Sequence, residues 1–241
     1  MDSRNNCTIS IVTVSYNAVD TIEETIQSVL GQDYEAIEYI VVDGGSTDGT
    51  VDIIKKYSDK LSYWVSEPDN GVYDAMNKGI TVASGQWINF MNSGDCFFSN
   101  HVLSDIFNHE ISSSVMVIYG DVIKQHSTFQ EYVKAKSLFK LNFCIPFCHQ
   151  SSFVRLVPKL YFDTRFKISA DFKLMHDYFH DYGYNSFKYV KFPISVFEAE
   201  QGISSTLRNN LIHENLIISK NYFSLFWWYY RIRSFFYSFN H

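Results

Sequence analysis

The first hundred residues alternate short apolar runs with longer segments in which apolar positions recur every three or four residues. Runs rich in apolar and β-branched residues at 9–14, 39–42, 63–65 and 87–90 are typical of buried strands. The segments between these runs have the spacing of amphipathic helices. Because strands and helices that alternate in this way form βαβ units, we expect an α/β fold with a Rossmann-like, mostly parallel sheet flanked by helices.

Polar residues mark where the helical segments start. Asp20 and Glu23 have the spacing of a capping box at the start of the first helix. The second half of the chain is less regular, and neither a repeat nor a low-complexity linker interrupts it. Further helices are expected at 51–57, 72–82 and 171–182, and further strands at 115–119 and 152–155.

Composition and charge narrow the class of protein. The chain has 241 residues and a net charge of −6, and its Lys and Arg residues are scattered, so we expect no nucleic-acid partner. Residues 1–10 are polar and lack the apolar run of a signal peptide, which predicts a cytoplasmic protein. The four cysteines are too few and too unevenly spaced for a disulfide framework, and we expect reduced thiols.

Two aspartates follow predicted strands. Asp43 ends the second strand, and Asp95 lies in the loop after the fourth. Parallel α/β sheets bind ligands at the carboxyl ends of their strands, so both side chains are expected in one crevice. The small residues after Asp43 would let a ligand approach closely. An ordinary turn, in which Ser46 or Asp48 caps the next helix, is the alternative interpretation.

Four segments carry a resemblance in their order and spacing. They are Ser15-Tyr16-Asn17, VVDGGSTDGT, SEPDNGVYDAMNKGI and NSGD. Together they resemble the family 2 glycosyltransferases of the GT-A type, and in particular the bacterial enzymes that build exopolysaccharide, capsule or lipopolysaccharide. The resemblance implies a GT-A catalytic domain at 1–205, with a donor half at 1–98 and an acceptor half at 99–205. A helical, aromatic-rich extension would follow at 206–241.

The resemblance also implies how the donor, a nucleotide diphosphate sugar, is held. Tyr16 and the Val14 backbone would lie against the base, and Asp43 would contact base or ribose. Capping or simple exposure is an open alternative for Asp74 and Asn77. The expected donor-binding residues are Val14, Tyr16, Asp43, Gly45, Glu67, Asp69, Asp74, Asn77, Lys78, Ser93 and Gly94.

Asp95 stands at the last position of the family's metal-binding acidic motif. The resemblance therefore implies that Asp95 chelates Mg²⁺ or Mn²⁺, which prefer carboxylate and phosphate oxygens. The usual motif has two or three acidic residues, whereas NSGD has one, so metal affinity without donor is expected to be poor. A turn-capping role for Asp95 is the alternative.

The acceptor half contains a candidate base. The family implies an inverting reaction with its base at Asp171, where Ala170 replaces a second acid. A first-turn acid that favours the helix dipole is the alternative interpretation of Asp171. His149 and Gln150 are expected at the acceptor cleft, and a packed or hydrogen-bonded histidine is the alternative for His149. A zinc site with the nearby cysteines lacks a second ligand pair. Gly202 belongs to a segment that resembles the family's Gly-Gly-Ile-Ser lid.

Apolar residues dominate from Leu211 onward, and aromatic residues become frequent after Asn221. The longest uncharged stretch, 221–230, is too short to cross a bilayer. Two interpretations stay open. The segment is either a helix that docks on the catalytic domain or on a second copy in a homodimer, or it is an interfacial anchor. An anchor would make the protein peripheral on the inner face of the cytoplasmic membrane. The anchor would suit a lipid-linked glycan acceptor.

These features predict a metal-dependent glycosyltransferase of cell-surface polysaccharide synthesis. The alternative is a catalytically inactive nucleotide-sugar-binding subunit or scaffold. A dinucleotide oxidoreductase is excluded because Ser15, Tyr16 and Asn17 occupy the place of its glycine-rich turn.

Overall fold

The computed structural model describes residues 7–198 and 208–220 of the chain. The strands are β1 (Ile9–Ser15), β2 (Ile37–Asp43), β3 (Tyr63–Ser66), β4 (Trp87–Phe90), β5 (Cys96–Phe97), β6 (Val117–Gln125), β7 (Gln130–Val133), β8 (Ser152–Arg155) and β9 (Phe187–Glu198). The helices are α1 (Ile22–Leu30), α2 (Thr50–Lys56), α3 (Val72–Val82), α4 (Val102–Phe107), α5 (Ala170–Tyr182) and α6 (Arg208–Ser219). Single 3₁₀ turns lie at Ser58–Lys60, Leu138–Asn142, His149–Ser151 and Tyr184–Ser186.

All the described strands join one sheet in the order β3-β2-β1-β4-β8-β6-β9-β5, with β7 paired to β6. The first four of these strands are mutually parallel, β8 is antiparallel to both its neighbours, and β6 is parallel to β9. The carboxyl ends of β1, β2, β3, β4, β6 and β9 therefore meet at one edge, where β8 begins. The predicted mostly parallel α/β sheet is confirmed.

Strands β1 and β4 in the middle of the sheet are buried on both faces, which explains their apolar-rich sequences. Along β1, Ile9 and Ile11 join a cluster with residues of α1, α2 and α4, whereas Val12 and Val14 join a second cluster with residues of α3 and α5. Gly79 lets α3 approach β1 closely, because a Cβ atom at this position would lie 2.4 Å from Val12 Cγ1. The close contact fixes the helix that carries Tyr73 and Asp74.

The structure differs from the sequence-based expectations in several local features, and α4, β5 and β7 were not among the expected elements. The capping box at Asp20 is wrong, because α1 begins at Ile22 without a side-chain cap and its first turn is started by N–H groups that donate to Ala18 O. Strand β9 was not expected, since Pro193 interrupts its pattern. This proline pairs opposite Asp121 at a register irregularity of β6 and β9, a position where a strand tolerates proline.

The start of the C-terminal extension is helical. Helix α6 packs against α5, and the boundary expected at 205–206 stays a prediction. No helix in the ranges 7–198 and 208–220 has both the length and the apolar character needed to cross a membrane. Residues 221–240, which make up most of the predicted aromatic segment, lie outside the described ranges.

Candidate active site

Asp43 is fully buried at the end of β2, where its carboxylate accepts five hydrogen bonds. Oδ1 accepts from the hydroxyls of Ser15 at 3.0 Å and Ser46 at 2.5 Å. Oδ2 accepts from the N–H groups of Gly45 and Ser46 and from the Ser66 hydroxyl. Burial raises the pKa of Asp43, but these hydrogen bonds outweigh it and hold the pKa below its usual value.

A narrow slot lies beside this carboxylate. Tyr16 is 67% exposed, and its ring and the Asp69 carboxylate come together over Gly44. A Cβ atom at Gly44 would lie 2.5 Å from Asp69 Oδ2 and 3.3 Å from Tyr16 Cδ2. Only glycine leaves this geometry undisturbed, and the exposed tyrosine ring provides a flat surface on which a base would stack.

The loops after β2 and β3 touch along the donor side. Gly45 has φ of +83°, and a Cβ atom there would lie 3.3 Å from Pro68 N. Lys78 of α3 pairs with Glu67 at 2.8 Å and also donates to Pro68 O at 2.9 Å. The expected donor residues Gly45, Glu67 and Lys78 therefore lie together.

Two expected donor residues of α3 have structural partners instead. Asp74 Oδ2 accepts from the Asn70 backbone N–H at 2.9 Å, which fits the capping alternative. Asn77 is buried, and its amide exchanges two hydrogen bonds of 2.8 Å with the main chain of Phe162. The side chain of Asn77 thus holds the segment before α5, and its expected contact with the donor stays a prediction.

The NSGD turn is attached to the first strand and helix. Ser93 N–H donates to Val14 O at 3.1 Å, so the Val14 carbonyl ties β1 to this turn. Gly94 N–H donates to Thr25 Oγ1 at 3.0 Å. The φ angle of Gly94 is +95°, a conformation that favours glycine. The turn therefore places Asp95 at a defined point of the edge.

Asp95 is 5% exposed. Gln150 Nε2 donates to its Oδ2 at 2.7 Å, and the backbone N–H of Glu198 lies 3.4 Å from Oδ1. Burial raises the pKa of Asp95 to about 6, although the hydrogen bond from Gln150 and the nearby His149 oppose the shift. In the part of the chain that the structure describes, this carboxylate accepts only these two hydrogen bonds.

The donor atoms around Asp95 fit a weakly held divalent cation. Within 7–198 and 208–220, no three His, Cys, Asp or Glu side chains cluster as a metal site. The same turn does contain a second oxygen, Asn92 Oδ1, which is buried and accepts no hydrogen bond. Carboxylate and amide oxygens suit Mg²⁺ or Mn²⁺ when phosphate and water supply the other ligands.

His149 connects the NSGD turn with the predicted base. Its Nε2 lies 3.3 Å from Asn92 Nδ2, and its Nδ1 lies 3.5 Å from Asp171 Oδ2. This arrangement fits the tautomer with the proton on Nδ1. The alternative of a packed or hydrogen-bonded histidine fits these contacts with Asn92 and Asp171, and a contact of His149 with the acceptor stays a prediction.

Asp171 lies in the first turn of α5, with its two oxygens in different surroundings. Oδ1 accepts from the Phe172 backbone N–H at 2.7 Å and from the Tyr73 hydroxyl at 3.2 Å. Burial, ahead of the charge of Asp171, raises the pKa of Tyr73 well above its usual value, so this hydroxyl stays a donor. Oδ2 faces His149 and the cleft.

The cysteines before His149 are neutral thiols. Cys148 donates to Gln150 Oε1 at 2.7 Å, and burial raises the pKa of its thiol to about 12. Burial also raises the pKa of Cys144. Cysteines 7, 96, 144 and 148 are all unpaired, in agreement with the expected reduced thiols.

The structure gathers most of the expected site at the carboxyl edge of the sheet. Sequence reasoning missed Asn92 and did not commit to Tyr73, although both stand inside the motifs that carried the resemblance. Gly202 lies outside the described residues, and the roles expected of the site residues stay predictions. The expected residues at this edge are Val14, Tyr16, Asp43, Gly45, Glu67, Asp69, Lys78, Ser93, Gly94, Asp95, His149, Gln150 and Asp171.

Curated relatives are glycosyltransferases. An uncharacterized glycosyltransferase of Mycobacterium tuberculosis (strain ATCC 25618 / H37Rv) is 44% identical over 98 residues, which cover 40% of this chain and 37% of that protein. The PGL/p-HBAD biosynthesis glycosyltransferase of Mycobacterium bovis (strain BCG / Pasteur 1173P2) is 33% identical over 153 residues, which cover 61% of this chain and 58% of that protein. The chain thus matches well under two thirds of the length of these relatives.

Solved structures share the fold at low sequence identity. Staphylococcus aureus TarS 1-349 in complex with UDP-GlcNAc has a TM-score of 0.61 at 17% identity, covering 83% of this chain and 61% of that chain. The mannosyltransferase PcManGT from Pyrobaculum calidifontis, in complex with GDP-Man and Mn²⁺, has a TM-score of 0.60 at 17% identity, covering 83% and 59%. These likenesses confirm the expected GT-A-like fold.

The family model described as glycosyl transferase family 2 matches residues 10–186 of the chain. This range runs from β1 through α5 and includes all four segments that suggested the resemblance, together with His149 and Asp171. On this match, the chain belongs to glycosyl transferase family 2.

Proposed function

We propose that the chain is an inverting glycosyltransferase that moves a sugar from a nucleotide diphosphate to a hydroxyl group of a glycan acceptor. One observation carries the proposal. Asn92 in the NSGD turn, His149 and Asp171 form a continuous polar chain with separations of 3.3 and 3.5 Å. A transferase needs a diphosphate-binding turn and a base on opposite sides of one sugar, and this chain of contacts spans such a space.

On the donor side, the base would stack on the exposed ring of Tyr16 and the ribose would lie near Asp43 and Asp69. Asp43 would act mainly through the loop that it holds, since its own oxygens are already hydrogen-bonded. The complexes of TarS with UDP-GlcNAc and of PcManGT with GDP-Man support a nucleotide diphosphate sugar as the donor.

Asp95 and Asn92 would hold Mg²⁺ or Mn²⁺, with Mn²⁺ present in the PcManGT complex. A divalent ion, when bound, neutralises charge on the leaving diphosphate. Gln150 would orient the Asp95 carboxylate through its hydrogen bond of 2.7 Å.

Asp171 would be the base. As the acceptor oxygen forms a bond to the anomeric carbon, its proton passes to Asp171 Oδ2. The bond from the anomeric carbon to the diphosphate breaks, and its electron pair leaves with the diphosphate. Tyr73 and Phe172 N–H hold Oδ1, which directs Oδ2 toward His149 and the cleft.

We further propose that the acceptor is a lipid-linked glycan of cell-surface polysaccharide synthesis. The name of the Mycobacterium bovis relative, a PGL/p-HBAD biosynthesis glycosyltransferase, supports an acceptor of glycolipid type. A cytoplasmic enzyme that meets the inner face of the membrane through residues 211–240 would suit such an acceptor. A donor screen with the purified protein identifies the base and the sugar.

The test is the substitution Asp171→Asn. Loss of the base is expected to lower kcat about 10²-fold or more while the donor Kd, measured by calorimetry with Mn²⁺, stays unchanged. Asp181→Asn is the matched control, because Asp181 lies on the same helix but pairs with Lys159 at the exposed surface. Near-normal turnover of Asp171→Asn would exclude this base.

An inactive binding subunit is the alternative to an enzyme. Both would bind nucleotide diphosphates in calorimetry, with tighter binding when Mn²⁺ is present. Only an enzyme would also transfer the sugar, or release it to water, so nucleotide binding without any donor turnover across the screen favours the subunit.

A further inference from the structure

A carboxylate of the C-terminal helix holds the turn that precedes α5. Glu214 of α6 accepts hydrogen bonds from the backbone N–H groups of Lys167 at 2.8 Å, Ile168 at 3.0 Å and Ser169 at 2.8 Å. These partners are 45 to 47 residues away along the chain, so the contacts are tertiary rather than local. Hydrogen bonds to a charged acceptor are about twice as strong as neutral ones.

Tyr73 of α3 holds the same turn from the other side. Its hydroxyl donates to Ile168 O at 2.7 Å and also lies 3.2 Å from Asp171 Oδ1. The N–H of Ile168 is thus bound to Glu214 and its C=O to Tyr73. Two helices that are distant in sequence clamp one residue, three positions before the proposed base.

Helix α5 has no strong cap of its own at this end. Ser169 stands at the N-cap position without a side-chain capping bond, and its buried Oγ has no partner within the described ranges. The negative charge of Glu214 near the N-terminus of α5 also interacts favourably with the helix dipole. Glu214 therefore supplies from outside the anchoring that the local sequence lacks.

We propose, resting on the role proposed above for Asp171, that Glu214 is a positioning residue of the active site. It fixes the main chain of residues 167–169 and so the direction in which Asp171 presents Oδ2. Glu214 lies beyond residues 10–186, the range matched by the family model. Helix α6 thus helps to position the proposed base of this chain.

The substitution Glu214→Gln tests the role. The glutamine keeps the size of the side chain but loses the charge and one acceptor oxygen. A small displacement of a catalytic group lowers the rate strongly, so kcat is expected to fall on the order of 10-fold or more, with the donor Kd unchanged. Tyr73→Phe, which removes the opposite hydrogen bond, is expected to act in the same direction.

His213→Gln is the matched control, because His213 is the exposed neighbour of Glu214 on α6. It is expected to keep native kcat. Thermal unfolding of each variant shows whether it is folded at the assay temperature, and donor calorimetry shows whether the other side of the cleft is intact. A folded Glu214→Gln protein with native kcat overturns the role of Glu214.

A double variant separates positioning from a general structural effect. If Glu214 acts through Asp171, adding Glu214→Gln to Asp171→Asn leaves the residual rate unchanged, whereas a further 10-fold loss contradicts the role. Native turnover in Asp171→Asn alone overturns the proposed base, and the role of Glu214 with it. A large loss of kcat in Asp171→Asn together with native kcat in Glu214→Gln overturns only the positioning role of Glu214.

Discussion

Two aspartates at the same edge of the sheet have opposite electrostatic surroundings. Asp43 is held by five hydrogen bonds, and its pKa lies below the usual value. Asp95 has one short hydrogen bond, and burial raises its pKa to about 6. Among the described residues, the charge of Asp43 is thus stabilised more fully than that of Asp95, which suits the cation proposed for Asp95.

Asp95→Asn is therefore expected to stabilise the metal-free protein at pH 7. Folded Asp95 releases its proton near pH 6 and the unfolded residue near 3.8, so the ionised carboxylate destabilises the fold above that range. The difference in free energy of unfolding is expected to be about 3 kcal/mol at pH 7 and to shrink as the pH falls toward 4.

Urea unfolding in EDTA at several pH values measures this difference. His149 and Glu198 also face Asp95, and both are retained in the variant. A variant that is less stable than the native chain at pH 7 contradicts the raised pKa.

Gly44→Ala is expected to weaken donor binding with little effect on folding. The new Cβ would lie 2.5 Å from Asp69 Oδ2, and the Asp69 side chain can turn away at the cost of its hydrogen bond from the Gly71 N–H. Because Asp69 and Tyr16 line the proposed base slot, their displacement is expected to raise the donor Kd about 10-fold, or about 1.4 kcal/mol. Calorimetry measures the donor Kd, and Thr47→Ala, an exposed position of the same loop, is the control. A donor Kd of Gly44→Ala equal to that of Thr47→Ala argues against the base slot.

At the scale of elements, the position of α3 depends on a missing side chain. A Cβ atom at Gly79 would lie 2.4 Å from Val12 Cγ1 in the core of β1. Gly79→Ala is expected to lower the free energy of unfolding by about 1 to 3 kcal/mol, the usual cost of overpacking. Val82→Ala, near the exposed end of the same helix, is expected to change it by less than about 0.5 kcal/mol. Urea unfolding measures both changes, and equal free energies of unfolding for Gly79→Ala and Val82→Ala would refute the close packing of α3 on β1.

Local patterns predicted some elements closely and others not at all. Helix α3 and strands β4 and β8 have the expected bounds, and α5 begins one residue early. Their apolar spacing or apolar runs are visible within a short window. Strand β9 was missed because its pairing with β6 and β5 is non-local and Pro193 breaks its pattern.

The candidate site shows the same division. Asp95, His149 and Asp171 were identified individually, from their places in motifs. Their connections run through Asn92 and Tyr73 and join residues 57 and 98 positions apart. No sequence pattern encodes such distances, so the polar chain across the cleft could not be predicted.

At the scale of the whole molecule, we expect α6 to serve catalysis and the residues after 220 to serve membrane binding. We expect a chain that ends at residue 220 to keep α6, and so to keep kcat on a lipid-free acceptor. The shortened chain lacks most of the predicted anchor, residues 211–240. If those residues bind the membrane surface, the full chain floats with anionic vesicles and the shortened chain does not. Equal flotation of the two would exclude the anchor in 221–241, and a collapse of kcat would assign this segment to the catalytic domain.

The hydrogen bonds around Asp43 also bear on how a donor binds. Their donors come from the ends of β1 and β3 and from the loop after β2, so one carboxylate joins three segments. The conformational entropy of these segments is lost when the chain folds rather than when the nucleotide arrives. A donor that binds here, as proposed, would therefore meet a half-site whose ordering is already complete, and its affinity would not be reduced by that cost.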